Sequence, residues 1–159
     1  MKHLIILFTL FAPVSCSNPV IGLGDTNKST IRQVIENHDK TLIFVGAGYC
    51  HSCKNMLEMN VKPYLEGLEK NNVGIVIIYY GGENIIVDLK SGNRLIIKVN
   101  LWFPPLIRKD ANKTMKSLLK DFRETNAMPI PLLVDRDGYV LNYEEYGNLS
   151  YVKIFEAAK

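Results

Sequence analysis

Two closely spaced cysteines, in the sequence Cys50-His51-Ser52-Cys53, limit the folds that this chain can adopt. The pair follows a nearly unbroken apolar run of β-formers, Thr41 to Val45, and precedes a segment with the apolar spacing of a helix. Such a run is typical of a strand that is covered on both faces. The cysteines are therefore expected at a strand-to-helix junction, where the helix N-terminus favours a thiolate. Two thiols at this spacing can form a disulfide that is reversibly reduced and reoxidised.

The first half of the chain also predicts a helix before the cysteine pair, a break in the helix after it, and a second strand. Thr30 and Gln33 are spaced as a capping box, so a short helix is expected from Thr30 to about His38. The helix that follows Cys53 is expected to kink or restart at Pro63. The continuous apolar run from Gly74 to Tyr80 predicts a second central strand.

The second half predicts a hairpin, a helix and a compact β-unit. Alternating segments at 85–89 and 95–99 flank Ser91-Gly92-Asn93 and indicate a β-hairpin with one wet face. Asp110 is placed to cap a helix that ends near Asn126. A strand from Ile130 to Val134 is expected to lead through the turn at 135–138 into a returning strand and a last helix from Ser150. The order predicts a mixed sheet with a parallel pair joined by a right-handed crossover.

The N-terminal residues have the layout of a bacterial secretory signal. A basic start, a short apolar run and small residues follow one another within residues 1–17. Residues 18–28 are interpreted as a flexible lead-in and residues 29–159 as one domain. Export to the periplasm or cell envelope is therefore expected. Cys16 ends a segment that faintly resembles a lipoprotein processing box, although Pro13 stands where leucine is usual, so a lipid anchor at Cys16 and ordinary cleavage beside Cys16 or Ser17 are both retained.

Charge and metal-ligand spacing exclude several classes of function. The net charge of +3 comes without a basic stripe or arginine cluster in the sequence, so no nucleic-acid binding is expected. The cysteine pair lacks the second pair of ligands that a zinc site needs. A copper site remains an alternative, because Cys50, Cys53, Met56 and Met59 are soft ligands close in sequence. Otherwise neither a metal nor an organic cofactor is expected.

The order of elements, with a CxxC pair heading the helix after the first central strand, resembles the thioredoxin fold. A second motif, Met128-Pro129-Ile130-Pro131, precedes the penultimate strand, where thioredoxin-like proteins carry a cis-proline. Counting back from the turn at 135–138 matches Pro129 to that position, with Pro131 as the competing candidate. The resemblance covers about Thr41 to Ala158 and is greatest to exported bacterial thioredoxin-like proteins.

This resemblance implies a thioredoxin fold, an α/β architecture with a central mixed β-sheet flanked by helices, and an inserted β-hairpin before the penultimate helix. It also implies a thiol-disulfide oxidoreductase, acting as a reductase on protein disulfide or dithiol substrates and recycled by a membrane-embedded thiol electron-transfer partner. Cys50 would be the exposed nucleophile and Cys53 the buried resolving thiol, with a disulfide between them in the oxidised state. The residues expected to tune the pair or bind substrate are Tyr49, His51, Ser52, Met128 and Pro129. A fold-retaining adaptor that binds partners through the hairpin is a third interpretation.

Three positions depart from thioredoxin itself. Tyr49 stands where tryptophan usually precedes the first cysteine, and Phe44 replaces the buried acid of the preceding strand. The dipeptide between the cysteines is His-Ser and not Gly-Pro. These differences affect the redox potential and kinetics that the resemblance implies, and they leave the fold prediction unchanged.

Overall fold

A mixed four-stranded sheet forms the centre of the molecule. The computed structural model describes residues 22–81 and 94–141. Within these residues the strands are β1 (Lys40–Ala47), β2 (Gly74–Tyr80), β3 (Arg94–Val99) and β4 (Ile130–Asp135), in the order β3-β2-β1-β4. β1 pairs with β2 and β2 with β3 in parallel, whereas β4 runs antiparallel to β1. The predicted mixed sheet is confirmed, and β2 matches its predicted bounds.

Four α-helices lie within the described residues: α1 (Asp25–Glu36), α2 (His51–Met56), α3 (Leu65–Lys70) and α4 (Pro104–Leu118). A π-helical segment, Leu57–Val61, and a 3-10 turn, Lys62–Tyr64, separate α2 from α3. Pro63 lies in that 3-10 turn, and because proline has no N–H it cannot continue α-helical hydrogen bonding. The predicted interruption at Pro63 is confirmed. No helix among the described residues is long and apolar enough to cross a membrane.

The start of α1 differs from the prediction. The helix begins at Asp25 after Gly24, so the predicted capping box of Thr30 and Gln33 is wrong. The Thr30 hydroxyl instead donates to the Thr26 carbonyl oxygen at 3.0 Å, which keeps it bonded inside the helix. Residues 25–28 of the predicted lead-in therefore belong to the first helix.

The bounds predicted for α4 are also wrong. The helix begins at Pro104, where two consecutive prolines occupy its first positions, and ends at Leu118, before Asn126. A proline at the first helical position costs nothing, because the N–H that it lacks would have no partner there. Asp110 lies inside the helix and accepts hydrogen bonds from the Tyr80 hydroxyl at 2.8 Å and the Leu23 N–H at 3.2 Å.

Of the predicted hairpin, only the second arm lies within the described residues. That arm is β3, which forms the outer strand beyond β2 in the described sheet. The first arm, at 85–89, lies outside the described residues, as do the predicted last helix from Ser150 and the segment 1–21. The turn at 135–138 is present, and Gly138 has a φ of 84°, a conformation that favours glycine.

The helices cover both faces of the sheet. Tyr80 points towards α4, and α4 also packs against α1. Tyr79, the preceding residue of β2, must point to the opposite face because side chains alternate along a strand. Both tyrosines are almost fully buried. Burial of each large apolar side chain in such a core contributes about 1.5–3 kcal/mol to stability.

Candidate active site

The turn after β1 places the cysteine pair at the end of the sheet. The Gly48 N–H donates to the Tyr80 carbonyl oxygen at 2.8 Å, and the Cys50 N–H donates to the Ala47 carbonyl oxygen at 3.0 Å. Gly46 allows the strand to end between two rings, since a Cβ there would lie 2.8 Å from the Phe44 ring and 2.9 Å from that of Tyr79. These contacts fix Cys50 as the residue immediately before α2.

Cys50 and Cys53 are joined by a disulfide across the first turn of α2, with their Cα atoms 5.2 Å apart. Cys50 is half-buried, whereas Cys53 is 0% exposed. The Cys53 N–H donates to Cys50 Sγ at 3.1 Å. In the reduced protein the same N–H would favour a negative charge on that sulfur, because a hydrogen bond to the charged form stabilises it.

The segment before β4 lies directly against this pair. The antiparallel pairing of β4 with β1 sets Ile130 opposite Val45, so the residues just before β4 lie beside those just after β1. The Met128 carbonyl oxygen is 3.6 Å from Cys50 Sγ. The Met128–Pro129 peptide bond is cis, the one cis bond in the described residues. Pro131, the competing candidate, lies within β4 opposite Phe44.

An open groove of about 560 Å³ lies over Cys50. The turn before α2, the first two residues of α2 and the segment before β4 form its walls together with one residue of α4. The lining residues are Tyr49, Cys50, His51, Ser52, Arg108, Thr125, Asn126, Ala127 and Met128. Tyr49 is 47% exposed, so a ring edge is available to an occupant. The groove leaves Cys50 accessible, and Cys53 lies behind it.

His51, between the cysteines, is exposed, whereas Phe44 and Tyr79, beneath the end of β1, are buried. His51 is exposed and its Nε2 lies 3.2 Å from Asn55 Nδ2. Phe44 is 1% exposed, and the hydroxyl of Tyr79 has no hydrogen-bond partner among the described residues. Burial, with a smaller contribution from Glu58, raises the pKa of Tyr79. The end of β1 therefore rests on buried aromatic side chains, and the position of Phe44 carries no carboxylate.

A side-chain clamp holds the segment that precedes Met128. The Asn112 side chain of α4 donates to the Thr125 carbonyl oxygen at 2.8 Å and accepts from the Thr125 N–H at 3.0 Å. The Thr125 hydroxyl oxygen in turn accepts from the Ala127 N–H at 3.1 Å. Through these bonds α4 positions the wall of the groove that faces Cys50.

The soft ligands of the copper alternative are not brought to one point. Met56 is 5% exposed in the core, and Met59 is 71% exposed. A site of four ligands would need Met59 to face the completely buried Cys53. Among the described residues, no group of three or more His, Cys, Asp or Glu side chains could hold a metal ion.

No family model and no curated protein matches this sequence. Solved structures do match. A thiol:disulfide interchange protein from Bacteroides sp. has a TM-score of 0.51 at 14% identity, over 79% of this chain and 76% of its own. A thioredoxin family thiol:disulfide interchange protein from Chlorobium tepidum TLS has a TM-score of 0.50 at 13% identity, over 79% and 81%. The chain has the thioredoxin fold. A thioredoxin-like protein from Bacteroides caccae also shares this fold, with a TM-score of 0.50 at 19% identity over 77% of this chain, which spans 40% of that protein's length.

Within this thioredoxin fold, most of the predicted site residues meet in one place. Tyr49, Cys50, His51, Ser52 and Met128 line the groove, with Cys53 behind Cys50 and Pro129 next to Met128. Sequence reasoning missed the contributions of α4 and of the loop that follows it. The missed residues are Arg108, Asn112, Thr125, Asn126 and Ala127. The loop could have been found from the sequence, because it directly precedes Met128-Pro129.

Proposed function

We propose that this protein is a thiol-disulfide oxidoreductase that exchanges electrons with disulfides of other proteins. The observation that carries this proposal is the disulfide at the start of α2, in which one sulfur faces an open groove and the other is buried behind it. A structural disulfide has no need of an accessible sulfur beside a groove. The likeness to solved thiol:disulfide interchange proteins supports the same activity.

The proposed reaction begins with the reduced pair. The Cys50 thiolate attacks one sulfur of a substrate disulfide, the substrate S–S bond breaks, and one substrate thiolate leaves and takes up a proton. Cys53 then loses its proton and attacks Cys50 Sγ. The mixed disulfide breaks, the second substrate thiolate leaves and is protonated, and the Cys50–Cys53 disulfide forms. The substrate gains two electrons and two protons. The pair supplies both electrons and the Cys53 proton, and solvent supplies the other proton, because Cys50 starts as a thiolate.

The groove residues are assigned supporting roles. Met128 and Pro129 would hold an extended substrate segment next to Cys50, with Pro129 restricting the local backbone and keeping metal ions from the sulfurs. Tyr49 would pack against the substrate through its exposed ring. His51 and Ser52 would tune the pair and contact substrate from the first turn of α2.

We further propose that the protein works as a reductase in the bacterial cell envelope. The signal-like order of residues 1–17 supports export, and Cys16 offers a site for a lipid anchor. In that compartment each turnover leaves the pair oxidised, so a membrane-embedded thiol partner would have to return two electrons. The resemblance of the motifs to exported reductases supports this direction.

An insulin-reduction assay tests the proposed activity. Wild type should catalyse dithiothreitol-dependent reduction of insulin, and Cys50→Ser should abolish it. Cys53→Ser should accumulate a mixed disulfide with substrate through Cys50, seen as an added mass on the intact protein. Absence of turnover in wild type, together with stoichiometric Cu(I) binding lost in both variants, would replace this proposal with the copper-binding alternative.

A further inference from the structure

A second groove adjoins the open groove over Cys50 and runs along α4. It has a volume of about 600 Å³ and shares Arg108 and Asn126 with the first. Its lining residues are Pro105, Arg108, Lys109, Asn112, Lys113, Lys116, Glu124 and Asn126. An occupant of one groove can therefore extend into the other without leaving the surface.

The second groove is strongly basic. Four of its lining residues are cationic, and Glu124 is the single carboxylate, already paired with Lys116. Lys109 and Lys113 are exposed and make no ion pair within the described residues. Lys109 and Lys113 are four residues apart on α4, and because like charges at that spacing destabilise a helix, this pair does not stabilise α4. The prediction that the chain has no basic stripe is wrong for this helix, because α4 brings Arg108, Lys109, Lys113 and Lys116 to one groove.

Arg108 lies where the two grooves join. Its guanidinium has five N–H donors, and within the described residues it makes one hydrogen bond, from Nη1 to the Asn126 carbonyl oxygen at 3.5 Å. Its Nε is buried without an acceptor. A guanidinium with unused donors matches the two oxygens of a carboxylate.

We propose that the basic groove docks an acidic segment of the polypeptide whose disulfide reacts at Cys50. This inference rests on the proposed function and names the chemistry of its substrate. A polypeptide is the occupant that fits, because the groove is concave and continuous with the wall beside the reacting sulfur, so one extended segment can fill both. Complementary charge would raise the association rate and select among partners.

Peptide binding tests this inference independently of redox chemistry. The probes are two cysteine-free fluorescent peptides, one rich in Asp and Glu and the other with Asn and Gln at the same positions. Fluorescence anisotropy with the full chain should show tighter binding of the acidic peptide, an advantage that shrinks as salt is added. Lys113→Glu should weaken binding of the acidic peptide about 5-fold, the factor that one exposed ion pair of about 1 kcal/mol supplies.

Lys70→Glu is the matched control, with the same charge change on an exposed lysine of α3. Lys70 lies just before β2 begins, at the sheet edge opposite the dithiol, and this variant should bind the acidic peptide as wild type does. Lys109→Glu repeats the test if Lys113→Glu unfolds. Equal affinity for the two peptides, or equal losses in Lys70→Glu and Lys113→Glu, would overturn the inference. So would tighter binding of an oligonucleotide or an anionic phosphatidylglycerol vesicle than of the acidic peptide.

A kinetic test then separates this inference from the proposed function. The same acidic and neutral flanks are placed beside a disulfide, and reduction by the reduced protein is followed. The acidic peptide should have the higher kcat/KM, and Lys113→Glu should reduce the ratio of the two values about 5-fold. Equal kcat/KM values would overturn the inference, whereas absence of turnover with either peptide would refute the proposed function and leave the binding comparison to decide the docking surface.

Discussion

At the scale of single residues, the two sulfurs differ most in their access to solvent. Cys50 borders the groove, and Cys53 is completely buried. We therefore expect iodoacetamide to modify Cys50 of the reduced protein at neutral pH while Cys53 stays protected, since the thiolate reacts only where reagent can reach it. Peptide mass spectrometry of the alkylated protein measures this. Equal labelling of the two cysteines, or faster labelling of Cys53, would contradict the assignment of Cys50 as nucleophile.

Tyr80 carries a second prediction at this scale. Burial, together with the adjacent Asp110 carboxylate, raises the pKa of Tyr80. Above pH ~10 the unfolded chain has released a proton that folded Tyr80 keeps, so unfolding becomes more favourable as the pH rises. The free energy of unfolding should fall by about 1.4 kcal/mol per pH unit from this group. Its contribution to stability is thus complete below pH ~10 and is lost above it.

Tyr80→Phe should remove the Tyr80 contribution to that slope, whereas Tyr79, whose pKa burial also raises, keeps its own contribution. The variant should also lose about 1–3 kcal/mol at neutral pH, because Asp110 loses the hydroxyl that donates to it. Urea unfolding from pH 8 to 11 measures both effects. An unchanged slope in Tyr80→Phe would contradict the assignment.

At the scale of elements, α4 positions the loop that faces the dithiol. Asn112→Ala removes two hydrogen bonds to the Thr125 backbone and should cost about 1–3 kcal/mol of stability. The looser loop should raise KM for a neutral disulfide peptide more than it changes kcat, because the loop lines the groove without carrying a reacting atom. Urea unfolding measures the loss of stability, and steady-state kinetics measure KM and kcat. Asn37→Ala, at the exposed C-terminal end of α1, is the control and should leave KM unchanged. An unchanged KM in Asn112→Ala would exclude the positioning role of Asn112.

The same element shows where sequence reasoning reaches its limit. Proline is a recognised helix breaker, yet Pro104-Pro105 occupies the first turn of α4, where proline fits because its missing N–H would have no partner. Asp110 has the side chain of a good cap, but its partners are Tyr80 and Leu23, residues distant in sequence. A local pattern cannot show such contacts. The buried strands β1 and β2 were predictable because their apolar runs are continuous.

At the scale of the whole molecule, strand direction assembles the site. Parallel β1 and β2 end at one edge of the sheet, and antiparallel β4 begins at that same edge. The turn before α2 and the segment before β4 therefore meet there. Cys50, Cys53, Met128 and Pro129 could be named from the sequence because two motifs mark them. Arg108 and Asn112 could not, because a sequence does not show which side of a distant helix faces the groove.

The reduction potential of the Cys50–Cys53 disulfide distinguishes a dithiol that exchanges electrons from a structural disulfide. The Cys53 N–H bond to Cys50 Sγ and the start of α2 both stabilise a thiolate, and the open groove admits a reductant. Equilibration with glutathione redox buffers, read by mass spectrometry after alkylation, should give a value within about −270 to −120 mV, the range of catalytic dithiols. A potential below about −300 mV would identify a structural disulfide and contradict the proposed exchange activity.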